Sequence, residues 1–441
     1  MLRSLSVCFF FLCPLYLFSM NDLEEKTFAE LIGPKSPDYE VIDTTASAVW
    51  EKYKESAADD AKRLQEHKKM EIHYNGKVMR YGMKKVGKKD DNGIPLYIAL
   101  HGGGGAPARV NDSQWNHMKV YYLSSVKQGI YIAPRGITNT WNLHFVNDSY
   151  AMYDRLIENM ILFEGVDPNR VYILGFSAGG DGTYQIAPRM ADRWAAANMS
   201  AGHHNGVSPR NLYNVPFLIQ VGARDTAFKR HHEGVNYGQK ILKFQKMENG
   251  GYLHKVNIHA GRGHNFLDNH PKEPMQKIMA NPLQWKNTGK SAYKDENTNA
   301  IRWLSQHVRD PLPKRVIWDL KTGADRSAKE LWKSNARGKR SYWLGLKDKA
   351  EGEIIASYDK KANSVKVEKA VSGMIIYLNQ KMLNLNSEIK FDVEGTKLAL
   401  KPDQSVKNLA ITAQERGDIN YMFEGAVIVN KKDGKWEIED F

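Results

Sequence analysis

The chain has 441 residues, 42% of them hydrophobic and 26% charged, the make-up of an ordinary folded protein, which excludes a disordered or many-spanning one. Its formal net charge of +13 comes from Lys and Arg spread along the whole length with no recognition motif, so nucleic acid is not expected as a partner and attraction to an acidic polymer or surface fits better. The only two cysteines are Cys8 and Cys13, both close to the N-terminus, so disulfides, cysteine nucleophiles and cysteine metal sites are excluded together from the rest of the chain.

Met1, Leu2 and Arg3 followed by the apolar run from Leu5 to Phe18 read as the charged and hydrophobic regions of an export signal. That run falls short of the roughly 20 residues a spanning helix needs. Residues 1–19 are therefore expected to be a signal peptide, the protein to be secreted or periplasmic, and no integral membrane segment to remain after cleavage. Phe18, Ser19 and Met20 do not make a clean small-residue cleavage site, which leaves an uncleaved anchor as the alternative. Residues 20–70 form an N-terminal extension in which Ala48, Val49, Tyr53, Ala57, Ala61 and Leu64 fall at helical spacing, predicting one amphipathic helix over 44–65.

Residues 71–310 make up the predicted main domain. It opens with strands over 71–74 and 77–85 around Asn75 and Gly76, a pair that closes two-residue hairpins because both residues accept positive φ. Short apolar strands then alternate with helical stretches, the pattern of βαβ units on a mostly parallel sheet. The strands are predicted over 96–100, 129–133, 171–175, 195–199, 217–222 and 255–259, the helices over 149–164, 179–191 and 234–247. Past Pro311 and Pro313 the rhythm changes to short alternating strands, so residues 312–441 are expected to form a separate β-rich, sandwich-like domain interrupted by one helix over 405–415. Its Trp318, Trp332, Tyr342, Trp343 and Trp436 are assigned to the core of that domain rather than to a flat binding face.

Four features carry chemistry. Strand 171–175 runs into Gly175, Phe176, Ser177, Ala178 and Gly179 and then a helix, which is the GxSxG pattern in the strand–turn–helix context it requires. A nucleophilic serine needs a tight turn, and the helix N-terminus behind it offers free NH groups to a developing oxyanion. Just after strand 96–100 comes His101 with Gly102, Gly103, Gly104 and Gly105. Ala178 and this loop, at Gly103 or its neighbour Gly104, are expected to form the oxyanion hole. A serine hydroxyl also needs a base, and His264 follows the last predicted strand between Gly263 and Asn265. The base needs a carboxylate on Nδ1. Asp225 lies just past strand 217–222 and Asp268 is the second candidate, while Asp181 is read as solvent-facing or as support for the helix start.

His101, Trp141 and His144 are the predicted substrate-binding residues, and the remaining histidines are expected mostly to be solvated. No metal is expected at the pairs His203–His204 and His231–His232, because adjacent side chains diverge. No cofactor is expected.

With Ser177, the HGGGG loop, Asp225 and His264 in this order, residues 96–308 resemble the secreted polyhydroxybutyrate depolymerase and feruloyl esterase branch of the α/β-hydrolases. Asn214, Val215, Pro216 and Phe217 leading to Gly222 and Asp225, and Gly263 and His264 followed by Phe266, strengthen the likeness. The resemblance implies an α/β-hydrolase fold and an ester substrate, often polymeric. The expected function is therefore a carboxylic ester hydrolase working through a Ser-His-Asp triad and an acyl-enzyme. The nearest rival is a serine peptidase of the prolyl-oligopeptidase type, which shares the triad order but places a large propeller ahead of it. A binding protein built on an inactive hydrolase is the other alternative.

Overall fold

The computed structural model describes residues 39–88, 93–270, 275–285, 292–321 and 339–441. The expected signal peptide and Trp332 lie outside the described residues. Where one helix was predicted there are two, α1 (Tyr39–Asp59) and α2 (Ala61–Lys69). The break is at Asp60, whose backbone is extended (φ −63, ψ 102) and whose carboxylate accepts from the NH groups of Lys62 and Arg63 to cap α2. The hairpin follows as β1 (Glu71–Tyr74) and β2 (Lys77–Val86), with Asn75 and Gly76 at φ 47° and 71°.

The chain continues as β3 (Ile94–Leu100), α3 (Ala108–Tyr121), β4 (Gly129–Pro134), α4 (Asn147–Glu164), β5 (Val166–Phe176), α5 (Ala178–Arg189), β6 (Ala196–Ser200), β7 (Phe217–Gly222), α6 (Arg230–Met247), β8 (His254–His259), β9 (Gln276–Met279), β10 (Tyr293–Glu296) and α7 (Ala300–Leu304). These strands form one sheet in the order β1-β2-β4-β3-β5-β6-β7-β8-β9-β10. From β4 to β8 its neighbours are parallel, and both edges are antiparallel. Strands such as β4 and β7 are buried along their whole length because helices cover both faces, which is why they read as unbroken apolar runs. The order reverses at β3: the chain passes from β3 to β4 on one side, and from β5 onward builds the other. A crevice therefore opens past the carboxyl ends of β3 and β5, the place where such sheets bind ligands. The HGGGG loop leaves β3 there, and Ser177 leaves β5.

The C-terminal part comprises β11 (Arg315–Asp319), β12 (Arg340–Ser341), β13 (Leu344–Leu346), β14 (Glu353–Asp359), β15 (Ser364–Lys369), β16 (Met374–Leu378), β17 (Ile389–Val393), β18 (Thr396–Leu400), α8 (Val406–Arg416), β19 (Gly425–Lys432) and β20 (Lys435–Asp440). They make two sheets, β11-β14-β15-β17-β18 and β12-β13-β16-β19-β20. Along β15, Val365 and Val367 are buried and Lys366 and Glu368 exposed, the period-2 pattern of a half-buried strand. Trp318, Tyr342, Trp343 and Trp436 are buried. They fill apolar space and offer no face to a polymer.

The two parts share one continuous apolar core. Helix α1 contributes Val49, Trp50, Tyr53 and Ala57 to it and packs against α8. A buried set of ions fastens the same junction. Arg309 pairs with Asp418 at 2.7 Å, Arg193 pairs with Asp154 at 3.0 Å and donates to the Arg416 carbonyl at 2.7 Å, and Arg416 pairs with Asp192. Burial would raise the Asp418 carboxyl, and the guanidinium groups of Arg309 and Arg193 outweigh that and hold it below its usual range. Among the described residues no helix is long and apolar enough to cross a membrane.

Candidate active site

Ser177 sits between β5 and α5 with φ 58° and ψ −122°, a strained conformation for a residue with a side chain. The turn closes because its flanks are glycine: a Cβ on Gly175 would fall on the backbone of Gly179, and one on Gly179 would fall on the carbonyl of Leu100. The Ser177 NH donates to the Ser200 carbonyl at 2.9 Å, tying the turn to β6.

Two loops from later strands converge on this serine. His264 Nε2 lies 3.0 Å from Ser177 Oγ, and its Nδ1 lies 2.8 Å from Asp225 Oδ2. The Arg224 NH donates to the Arg262 carbonyl at 2.7 Å, so the loop bearing the carboxylate and the loop bearing the imidazole are bonded to each other. Asp225 is 2% exposed. Its second oxygen faces Arg230 Nη1 at 3.6 Å, and its carbonyl accepts from the His231 backbone. The edge of Phe176 meets the His264 ring, Phe266 tilts onto Phe176, and His259 stacks on Phe266 at 4.2 Å. Asp268, the second candidate acid, does not reach His264. It is buried against Ser200, Tyr122 and Tyr121, whose hydroxyls donate to it at 2.5, 2.8 and 3.0 Å.

The glycine loop lies across the same crevice. Gly103 and Ala178 donate their NH groups to no partner among the described residues, and both line a recess together with Ser177. Gly104 corrects the sequence reading: its NH donates to Asn111 Oδ1 at 3.0 Å and is already used. His101 and His144 also depart from expectation. Both rings are fully buried. His101 Nε2 accepts from the Gly136 NH at 3.1 Å, and His144 Nε2 lies 2.9 Å from the His101 carbonyl. They support the base of the glycine loop and do not face a substrate. Burial lowers His101 to about 4 and His144 well below its usual value, so both are neutral supports at physiological pH. Trp141 is half exposed and forms a wall of the recess.

Residues 136–308 match the model of the Dienelactone hydrolase family, a stretch that includes Ser177, Asp225 and His264. Those residues form a dienelactone hydrolase family domain. It makes the chain a hydrolase, on an α/β-hydrolase fold. No curated protein sequence matches the chain significantly. Among solved structures it is similar to a thermostable esterase at 19% identity and a TM-score of 0.34, covering 53% of this chain and 60% of that one. It is also similar to LpqC, a poly(3-hydroxybutyrate) depolymerase from Bordetella parapertussis, at 13% identity and a TM-score of 0.35, over 49% and 87% of the two chains. Est1E from Butyrivibrio proteoclasticus is similar at 15% identity and a TM-score of 0.30, over 44% and 89%.

In the hydrolase domain two recesses of about 480 Å³ each meet at Ser177. One lies on the imidazole side, walled by His117, Tyr121, Phe176, His264, Phe266 and Leu267. The other lies on the glycine-loop side and is lined by Trp141, Phe228, Asp181, His203, Asn205 and Arg230. Phe228 is 75% exposed, and it and Lys229 are successive non-glycine residues at positive φ (53° and 54°). Strain of this kind persists only where surrounding structure imposes it. Asp181 turns inward: it accepts from the His203 NH at 2.7 Å, and burial raises its carboxyl to about 6.

The other histidines are less solvated than the sequence reading holds. His204, His231 and His259 are buried, and His204 pairs with Glu233 at 2.8 Å. Among the described residues no group of three or more metal-ligating side chains converges. Sequence reasoning did not identify Asn111, Arg230 or Phe228. The only signal for the last two was their place just after Asp225, and Asn111 gave none.

Proposed function

We propose that the chain is a secreted serine esterase in which Ser177 is the nucleophile, His264 the base and Asp225 the acid that orients it. The observation that carries this reading is the continuous relay from Asp225 through His264 to Ser177, with contacts of 2.8 and 3.0 Å, ending on a strained turn between two recesses. His264 takes the hydroxyl proton through Nε2 as Oγ attacks the ester carbonyl, and Asp225 fixes the tautomer by accepting from Nδ1. The oxyanion forms against the NH groups of Gly103 and Ala178. His264 then returns the proton to the departing alcohol, so the alcohol leaves through the recess that contains the imidazole. The acyl group occupies the recess that contains the glycine loop. Water, activated by the same imidazole, releases the acid.

The family match supports ester or lactone chemistry, and the N-terminal pattern supports export to the periplasm or beyond. The +13 charge favours ester groups carried on acidic polymers. We take 71–310 as the catalytic unit and 312–441 as its companion. The test is turnover of p-nitrophenyl acetate by wild type and Ser177→Ala. The variant is expected to lose turnover while keeping its circular dichroism spectrum, and retained turnover would remove the proposal.

A further inference from the structure

We infer that Asn111 is a positioning residue for the oxyanion hole, setting the backbone of Gly103 and Gly104 so that the Gly103 NH points into the acyl recess. The inference rests on the esterase reading above. Three observations carry it. First, Asn111 lies in the opening turn of α3 and is fully buried, where a carboxamide is costly unless its polar atoms are paired. Second, every one of its polar partners belongs to the loops beside the serine. Oδ1 accepts from the Gly104 NH at 3.0 Å, and Nδ2 lies 3.1 Å from the Gly104 carbonyl, 3.0 Å from the Ala106 carbonyl and 3.1 Å from Asn139 Oδ1. The amide thus grips one peptide residue, Gly104, at both its NH and its carbonyl. Third, the contact is close enough to exclude a side chain at the preceding residue: a Cβ on Gly103 would fall on Asn111 Oδ1.

Gly103 and Gly104 both adopt φ near +108°, a conformation in which the chain has no regular hydrogen-bonding pattern of its own to hold it. Something else must choose which of the two NH groups faces inward and which is left for the substrate. Asn111 makes that choice by consuming the NH of Gly104. The clamp is itself anchored: Asn139 Oδ1 also accepts from Arg135 Nη2 at 2.5 Å, and Arg135 further donates to the carbonyls of Gly136 and Thr138 and pairs with Asp112 at 2.8 Å. Beneath it, the Gly136 NH donates to His101, the first residue of the glycine motif. The loop is therefore held from the α3 side by Asn111 and from the β4 side by His101.

A residue that positions an oxyanion donor affects the tetrahedral state more than the bound ester. In Asn111→Ala, kcat for p-nitrophenyl acetate is expected to fall about 10²-fold, the loss associated with one oxyanion donor. KM is expected to stay within about threefold, because the ground-state carbonyl gains little from that donor. A trifluoromethyl ketone, which forms a hemiketal oxyanion on the serine, is expected to bind more weakly by the same factor as kcat/KM falls. A purely structural role would lower the melting temperature without this proportionality.

Asn111→Asp keeps the shape and serves if the alanine variant does not fold. Its neutral carboxyl can still donate, whereas its carboxylate repels the three oxygens around it, so its kcat relative to wild type should be higher at pH 6 than at pH 8. Near-wild-type kcat in Asn111→Ala, an Asn111→Asp kcat whose ratio to wild type is the same at pH 6 and pH 8, or ketone affinity unmoved while kcat falls, overturns the assignment. Ser177→Ala measured alongside separates the two claims. If it is inactive and Asn111→Ala is fully active, only the role of Asn111 is lost. If Ser177→Ala itself turns over substrate, the esterase reading is lost first.

Discussion

Asp225→Asn tests the relay at its buried end, and the structure fixes the outcome more narrowly than the chemistry of a triad alone. The two carboxylate oxygens face different partners, Oδ2 the Nδ1 of His264 at 2.8 Å and Oδ1 the guanidinium of Arg230 at 3.6 Å. An amide in this place has one oxygen and one NH₂ to distribute between them. The guanidinium can only donate, so it holds the amide oxygen, and the NH₂ is left facing His264. The imidazole must then accept at Nδ1 and carry its proton on Nε2, which is the tautomer that cannot take the proton of Ser177. The expected loss in kcat is on the order of 10⁴, about 5 kcal/mol of transition-state stabilisation.

KM should change little, because Asp225 is buried and borders neither recess. Steady-state hydrolysis of p-nitrophenyl acetate, with circular dichroism to confirm the fold, measures both. Adding Arg230→Gln frees the amide to turn over and should recover roughly tenfold of the lost kcat. Asp225→Asn retaining activity within about tenfold of wild type, or showing its loss in KM alone, would refute the reasoning.

Two further predictions concern stability. Burial raises Asp268 to about 6 from its usual 3.8, against the hydroxyls of Ser200, Tyr122 and Tyr121, so the native state holds this proton more tightly than the unfolded chain. Its contribution to stability is full below about pH 4 and lost as pH rises through 6, and by linkage the advantage of wild type over Asp268→Asn should shrink by roughly 3 kcal/mol between pH 4 and pH 7 in urea titrations. A pH-independent difference would contradict this. Asp418→Ala leaves the buried cations Arg309 and Arg193 without their shared anion and should destabilise the protein by about 3–5 kcal/mol, read from the urea midpoint, whereas a change below about 1 kcal/mol would show that the junction does not depend on this cluster.

The parts of this molecule that were legible in its sequence are those where local pattern and tertiary role coincide. The central strands are buried on both faces and read as apolar runs, and Asn75–Gly76 announces a hairpin by its φ preference. Ser177 stands out because strand, glycines and helix must all be present together. What was hidden depended on partners distant in sequence. Helix α3 escaped notice because it buries Asn111 and Met118 and leaves Val110 and Val120 exposed, so its apolar residues do not mark its inner face. With that helix went the signal for Asn111, and with Asn111 the means to tell Gly103 from Gly104. Strand β10 gave no alternation because Tyr293, Lys294 and Asp295 are all exposed. His101 and His144 looked like pocket residues from their positions after strands, yet their rings point into the base of the loop, where burial keeps them neutral.

The most direct test of the central claim is to expose the folded protein to a fluorophosphonate and locate the adduct by peptide mass spectrometry. A hydroxyl made nucleophilic by an adjacent imidazole predicts a single stoichiometric adduct on Ser177, strongly slowed in His264→Ala. No adduct on folded protein, or one on another serine at the same rate, would contradict it.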